Sequence, residues 1–145
     1  MALAKAAAWQ APFRLIFSAG PNAALLTLPD TTLWYADADA EILAAYEIHQ
    51  VLGTDGSAVT ADVMKVADGT VIGSGTSLLA STFNLKATVA TWQTRTLAAG
   101  TLASTHAGRT ILKGQTLGID FGGTMTAVAG VNIIVVLKYL RRPSW

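Results

Sequence analysis

The chain has 145 residues, 52% of them hydrophobic and 13% charged, with a formal net charge of +1 and no cysteine. Disulfides, thiolate chemistry and cysteine-based metal sites are therefore excluded, and the near-neutral balance argues against a nucleic-acid binder, which carries a strong basic excess. One domain of this length buries roughly 70% of its extended-chain surface. Ala (26), Thr (18) and Gly (13) make up 57 residues, none with a large apolar side chain. The longest strongly apolar run, residues 131–137, is interrupted by Asn132 and falls well short of the ~20 residues of a membrane helix. Lys5, Gln10, Pro12 and Arg14 break up the Ala-rich start. Neither a secretory signal nor a membrane partner is expected.

Residues 1–40 hold Pro12, Pro21 and Pro29 and show no sustained period after Ala8, although Phe13, Leu15 and Phe17 suit a short strand. Trp9, Phe13, Phe17, Trp34 and Tyr35 are scattered along it as large apolar anchors. Such a segment cannot build a core of its own, yet it is too apolar for a solvated tail. It reads as an extended N-terminal arm lying on its own domain or on a neighbour, and as dispensable for folding the remainder, residues 41–145.

From Glu41 onward the pattern is of strands, rich in Thr, Val and Ile and punctuated by Gly. Residues 42–52 predict a strand with Ile42, Ala44, Tyr46 and Ile48 on one face. The cluster Gly53-Thr54-Asp55-Gly56-Ser57 predicts a tight hairpin, since Asp-Gly supplies the positive φ that such turns require. Val59, Ala61 and Val63 then alternate with Thr60, Asp62 and Met64, and Asp68-Gly69 marks a second hairpin returning through residues 70–72. One helical turn is expected at 76–81, with shorter strands at 82–85, 93–97 and 109–112. Lys113-Gly114 turns into a strand at 115–121, Gly122-Gly123 turns again, and residues 131–140 form the last strand. The expected fold is all-β: a β-sandwich or jelly roll carrying the arm.

The last strand has apolar residues on both faces. Val131, Ile133, Val135, Leu137 and Tyr139 share one, while Ile134, Val136 and Leu140 share the other. A strand with one solvated face alternates apolar with polar. The second face thus needs cover, from a loop or the arm within the chain, or from a second subunit. Sandwich edges also need protection, and few charges are available for it. Assembly is the expected solution. Trp9, Phe13, Phe17, Trp34, Tyr35, Ile134 and Val136 are the candidate subunit and capsid contacts. Charge is segregated along the chain: seven acids and no base from Asp30 to Asp62, then seven bases and one acid from Lys86 to Arg142. The two blocks face each other within one fold, or meet between subunits, where they set orientation.

No catalytic constellation emerges. His49 and His106 are 57 residues apart, with no carboxylate at ligand spacing and no His-x-His pair for a cupin-type metal. No serine stands in Gly-x-Ser-x-Gly, and no phosphate loop ends in Gly-Lys-Ser or Gly-Lys-Thr. Residues 117–124, with Asp120 before Gly122-Gly123-Thr124, look like the phosphate-binding hairpin of actin-like sugar kinases. Only 21 residues follow, too few for the two domains of that nucleotide cleft. No cofactor, metal or turnover is expected.

Thr54-Asp55-Gly56-Ser57-Ala58-Val59, then Gly75-Thr76-Ser77-Leu78-Leu79 leading to Phe83-Asn84-Leu85-Lys86, form a pattern of turns and apolar spacers. Arg109, Leu112, Gly114 and Leu117, then Gly123-Thr124 and Ala129-Gly130-Val131, continue it. Over about residues 41–140 it resembles the small capsid decoration (cement) proteins of tailed bacteriophages. The resemblance implies a homotrimer on the capsid exterior, stapling neighbouring major capsid protein subunits against DNA pressure, with no catalytic residues to carry over. The competing readings are a glycan-binding head-fibre or tail-adsorption module of the virion, and a small jelly-roll enzyme. Trp92 is the only Trp in the sandwich body apart from Trp145 at the chain end, which is thin material for a sugar surface.

Overall fold

The computed structural model describes residues 8–19 and 30–144. Residues 1–7 and 20–29 of the expected arm, with Pro21 and Pro29, lie outside them, as does Trp145. The strands are β1 (Phe13–Ser18), β2 (Thr31–Tyr35), β3 (Ala40–Ile48), β4 (Thr60–Val66), β5 (Thr76–Ser77), β6 (Phe83–Asn84), β7 (Gln93–Thr96), β8 (Thr110–Ile111), β9 (Thr116–Gly122) and β10 (Asn132–Tyr139). A single helical turn, α1 (His106–Arg109), precedes β8. The first sheet runs β1-β10-β3-β7, with β8 also on β3, and the second runs β2-β9-β4-β5, with β6 also on β4. Every pairing is antiparallel. Successive strands alternate between the sheets from β1 to β4, and β9 and β10 do so again. That order is a jelly-roll sandwich.

The core lies between the sheets. Val131, Ile133, Val135 and Leu137 of the β10 segment meet Val63 of β4 and Leu117 and Ile119 of β9, all with no exposed surface. Burying one such side chain is worth about 1.5–3 kcal/mol. On β1 the alternation places Phe13, Leu15 and Phe17 against this core and leaves Arg14, Ile16 and Ser18 outside. Phe17 meets Phe121 of the opposite sheet at 5.4 Å between ring centroids. Phe13 stacks on Tyr139 at 4.8 Å and meets Trp34 edge-on at 5.6 Å, closing the seam between β1 and β2. The Tyr139 hydroxyl donates to Asp37 at 3.0 Å. Burial, and the carboxylate beside it, push that phenol up to about 12.

Four sequence expectations change. The 42–52 strand was expected to present Ile42 with Ala44, Tyr46 and Ile48, but the register steps between Val136 and Leu137, pairing Val136 with Ala44 and Leu137 with Ile42. Leu43 is the extra residue of this bulge, so Ile42 turns into the core while Ala44, Tyr46 and Ile48 keep to the outer face. The 53–57 cluster and Gly122-Gly123 do not close hairpins. They carry the chain from one sheet to the other, because β3 pairs with β10 and β4 pairs with β9. Gly123 has φ +84°, and a Cβ there would run into the Ala58 carbonyl oxygen. After Asp68-Gly69 the chain does not return at once as a strand: a 3-10 turn (Ile72–Ser74) folds over the second sheet, and Ile72 packs with Met64 and Val66 on its outer side. A side chain at Gly118 would collide with Ile72. Finally, residues 76–81 begin as strand β5 rather than as a helical turn.

Within the described residues, the segment read as an arm contributes β1 and β2, one edge strand to each sheet. A chain starting at Asp39 would expose the free edges of β10 and β9 and uncover the core beneath Phe13, Leu15 and Phe17. It is expected to lose its cooperative thermal transition by circular dichroism. A folded truncated chain would show that residues 1–38 are separable after all.

Candidate interaction surface

The outer face of the first sheet is fixed by register. Ile16 lies across from Ile134, which lies across from Tyr46, and in the next row Arg14, Val136 and Ala44 follow one another. Thr94 and Thr96 extend these rows onto β7. Ile16 is 64% exposed, while Ile134 and Val136 are half-buried by their neighbours in the sheet. The centre of the face is thus apolar, from Ile16 across Ile134 and Val136 to Tyr46 and Ala44, with Arg14 and Ser18 beside Ile16 on β1 and Lys138 toward the end of β10.

Of the other candidate contacts, Phe13, Phe17 and Trp34 are half-buried against the chain's own core. Trp9 is half-buried in a 3-10 turn (Ala8–Gln10) beside β10, and Tyr35 is 58% exposed at the second sheet's edge. Ile134 and Val136 share a face with each other but not with Trp34 or Tyr35, which stand on the other sheet.

The acidic and basic blocks meet inside the fold. Glu41, nearly buried, accepts from Arg109 Nε at 3.2 Å and lies 3.5 Å from Lys138 Nζ and 3.4 Å from His106 Nδ1. Arg109 also donates to the Ala103 and Ser104 carbonyls, tying the loop before α1 to β3. Asp39 lies 3.7 Å from Arg141 and accepts from the Lys113 amide at 2.8 Å. Lys65 instead donates to the Ala107 and Thr110 carbonyls, both at 2.6 Å, and its burial pulls its pKa down. Three acids stand apart on the outer side of the second sheet. Asp62 and Asp120 are cross-strand neighbours, and Asp30 bonds the Phe121 amide beside them. Burial raises the pKa of both Asp62 and Asp120, and for Asp120 the neighbouring Asp30 and Asp62 add to it.

The kinase-like Asp120 thus belongs to a solvent-side carboxylate group at the end of β9, with no nucleotide cleft beside it among the described residues. An open groove of about 480 Å³ is lined by Asp39, His106, Ala107, Thr110, Leu112, Leu140 and Arg141. The Thr110 hydroxyl in it donates to the His106 carbonyl, and Asp39 is engaged as above. Among the described residues no group of three or more His, Asp or Glu side chains comes together to hold a metal, and no helix is long and apolar enough to cross a membrane.

The two histidines separate. His106 is exposed on α1, whereas His49 is fully buried and bonded to Glu47, a carboxylate two residues away that the sequence reading passed over. Its signal was spacing: residues i and i+2 share a face of a strand.

No protein-family model matches the sequence, and the search of curated proteins gives no match either. A solved structure does match, a chain of the cyanophage Pam1 capsid asymmetric unit, with a TM-score of 0.55 and 15% sequence identity. The match covers 96% of this chain and 92% of that one. The two chains share a fold.

The charge cluster yields a prediction. Partial burial raises the Glu41 pKa, but Arg109, Lys138 and His106 outweigh it and hold the carboxyl below its ordinary 4.5. A lowered folded-state pKa gives stability that is present above pH 4.5 and lost as pH falls through the depressed value. Glu41→Gln should lose about 1–3 kcal/mol at pH 7 by leaving Arg109 short of a charged partner. Melting temperatures recorded from pH 7 to pH 3 should fall less steeply in the variant than in the parent chain.

Proposed function

We propose that this protein is a structural component of a tailed-phage virion, without turnover chemistry. In this reading it decorates the capsid exterior as a homotrimer, binding across neighbouring major capsid protein subunits. The observation that carries the reading is the near end-to-end fold likeness to a chain of a phage capsid asymmetric unit. The apolar outer face of the first sheet supports it. Ile134 and Val136, with the exposed Ile16 beside them, offer a flat strand surface of the kind that marks an interaction site. Trp9, Tyr35 and the free rims of Phe13, Phe17 and Trp34 supply further contacts along the β1 and β2 edges.

The reading is tested on assembled heads prepared without the protein. Purified protein should co-sediment with them and raise the temperature at which they release DNA. Ile134→Thr combined with Val136→Thr keeps strand propensity and removes outward apolar area, about 1–3 kcal/mol per site if both become buried on assembly. The double variant should fold, and should lose trimer formation and head binding together. Full binding by the folded variant would move the interface off this face. Binding to tails or fibres instead of heads would replace decoration with the adsorption-module reading.

A further inference from the structure

We propose that His49 and Glu47 form a buried, proton-dependent latch that fastens residues 86–92 to β3 and loosens them when the ring loses its proton. Both side chains have no exposed surface. His49 Nδ1 lies 2.9 Å from Glu47 Oε1, and its Nε2 lies 3.0 Å from the Ala87 carbonyl oxygen. A carbonyl oxygen only accepts, so Nε2 carries a hydrogen.

Gln93 ties Glu47 to the same segment. The Gln93 Oε1 accepts from the Asn84 amide at 3.0 Å, which fixes the orientation of its amide group. Its Nε2 therefore donates, at 2.6 Å, to Glu47 Oε2 and, at 2.8 Å, to the Asn84 carbonyl. Glu47 Oε2 thus takes the Gln93 donor, and Oε1 is left facing His49 Nδ1 at 2.9 Å. In the closed latch Nδ1 holds the second hydrogen and the ring is an imidazolium.

Leu85, buried and bonded to Val59 and Gly53, and Gln93 in β7 anchor the two ends, and the ring ties the stretch between them. The Ala90 amide donates to the His49 carbonyl at 2.8 Å, and Ala90 sits at φ 53°, a conformation that a residue with a Cβ keeps only when its surroundings impose it. Half-exposed Trp92 follows two residues later. The charged and titratable surroundings of the ring are few. On its own strand there is Glu47. From β7 come the Gln93 amide and Arg95, whose charge acts on Glu47 while its guanidinium is held by the Ser81 and Thr82 carbonyls. From the segment comes the Ala87 carbonyl, while Lys86 points away to the Asp55 and Ser57 carbonyls. Across from Glu47 on β10 stands apolar Ile133.

Removing a proton would set a ring lone pair against either the Ala87 oxygen or the carboxylate, at a site with no exposed surface. The bond to Glu47 raises the His49 pKa above its ordinary 6.5, against the opposing effect of burial. A raised folded-state value gives a contribution that is complete below pH 6.5 and lost as pH climbs through the raised value. The latch is closed below pH 6.5 and opens as the pH climbs through the raised value.

The test is amide hydrogen exchange of residues 86–92 in the full chain between pH 6 and 9, corrected for the base-catalysed intrinsic rate. Relative to β4 and β9, exchange should begin to rise above pH 6.5, by up to about tenfold per pH unit, and level off once the pH passes the raised His49 value, the behaviour of a single proton release. Titration of the His49 ring nitrogens by ¹⁵N NMR should show an imidazolium at pH 6 and proton loss at the pH where the rise levels off. In His49→Gln the segment should exchange faster at every pH and show no such rise. Flat exchange in the parent chain, a neutral ring at pH 6, or the same rise in the variant would overturn the proposal. If the variant fails to fold, the coincidence of ring titration and exchange in the parent chain decides alone.

Discussion

Val131, Ile133, Val135 and Leu137 have no exposed surface, and their burial depends on where β10 lies. It sits inside its sheet, hydrogen-bonded to β1 on one side and β3 on the other, with β4 and β9 across the core. Its inner row therefore needs three partners at once. The β3 bulge opposite Val136 and Leu137 adjusts the pairing so that Ile42 and Ala45 both face inward. Without that extra residue one half of β3 would present its apolar side chains to the wrong face, since a one-residue slip inverts a strand. The same constraint leaves Ile134 and Val136 on the outside. Their exposure is a consequence of how the inner face is filled.

So few charges are present that their placement is visible in the fold. Glu41 gathers Arg109, Lys138 and His106 at one end of β3, and Glu47 pairs with His49 near the other. Both acids are buried or nearly so, and both join a loop to the same strand. Ion pairs removed from water are costly unless their remaining donors and acceptors are met. Here Arg109 also binds two carbonyls, and Glu47 also takes the Gln93 amide. The long stretches between β4 and β8 contain little regular structure, and these polar ties hold parts of them in place. Asp30, Asp62 and Asp120, with no ion pair among the described residues, gather on the outer side of the second sheet.

The strands were legible wherever alternation was strong. Val59, Ala61 and Val63, the two faces of residues 131–140, and the triplet Phe13, Leu15 and Phe17 all announce their inner faces. What the sequence conceals is which strand pairs with which. Asp-Gly and Gly-Gly serve as readily in a crossing between sheets as in a hairpin, so turn chemistry alone misplaced two connections. Strand β2 was not anticipated because Thr31–Tyr35 shows no clean alternation, and its register with β9 shifts between Thr32 and Trp34. Ile72 looked like part of a returning strand because its cover, Gly118 without a side chain, comes from a strand 46 residues later. The buried pair at Glu47 and His49 was visible as an i, i+2 spacing, yet nothing local shows that this end of β3 is closed over by residues 84–93.

A sandwich whose inner face is complete and whose outer face carries a row of isoleucine and valine is suited to lie flat on another protein. That is the physical core of the proposed role in a virion. The most direct measurement is a cryo-electron microscopy reconstruction of purified particles at a resolution that traces side chains. The account predicts density for this chain on the outside of the head, three copies together, with Ile16, Ile134 and Val136 covered by a neighbouring subunit. Density on the tail or a fibre, or a head-bound chain whose first-sheet face is open to solvent, would contradict it.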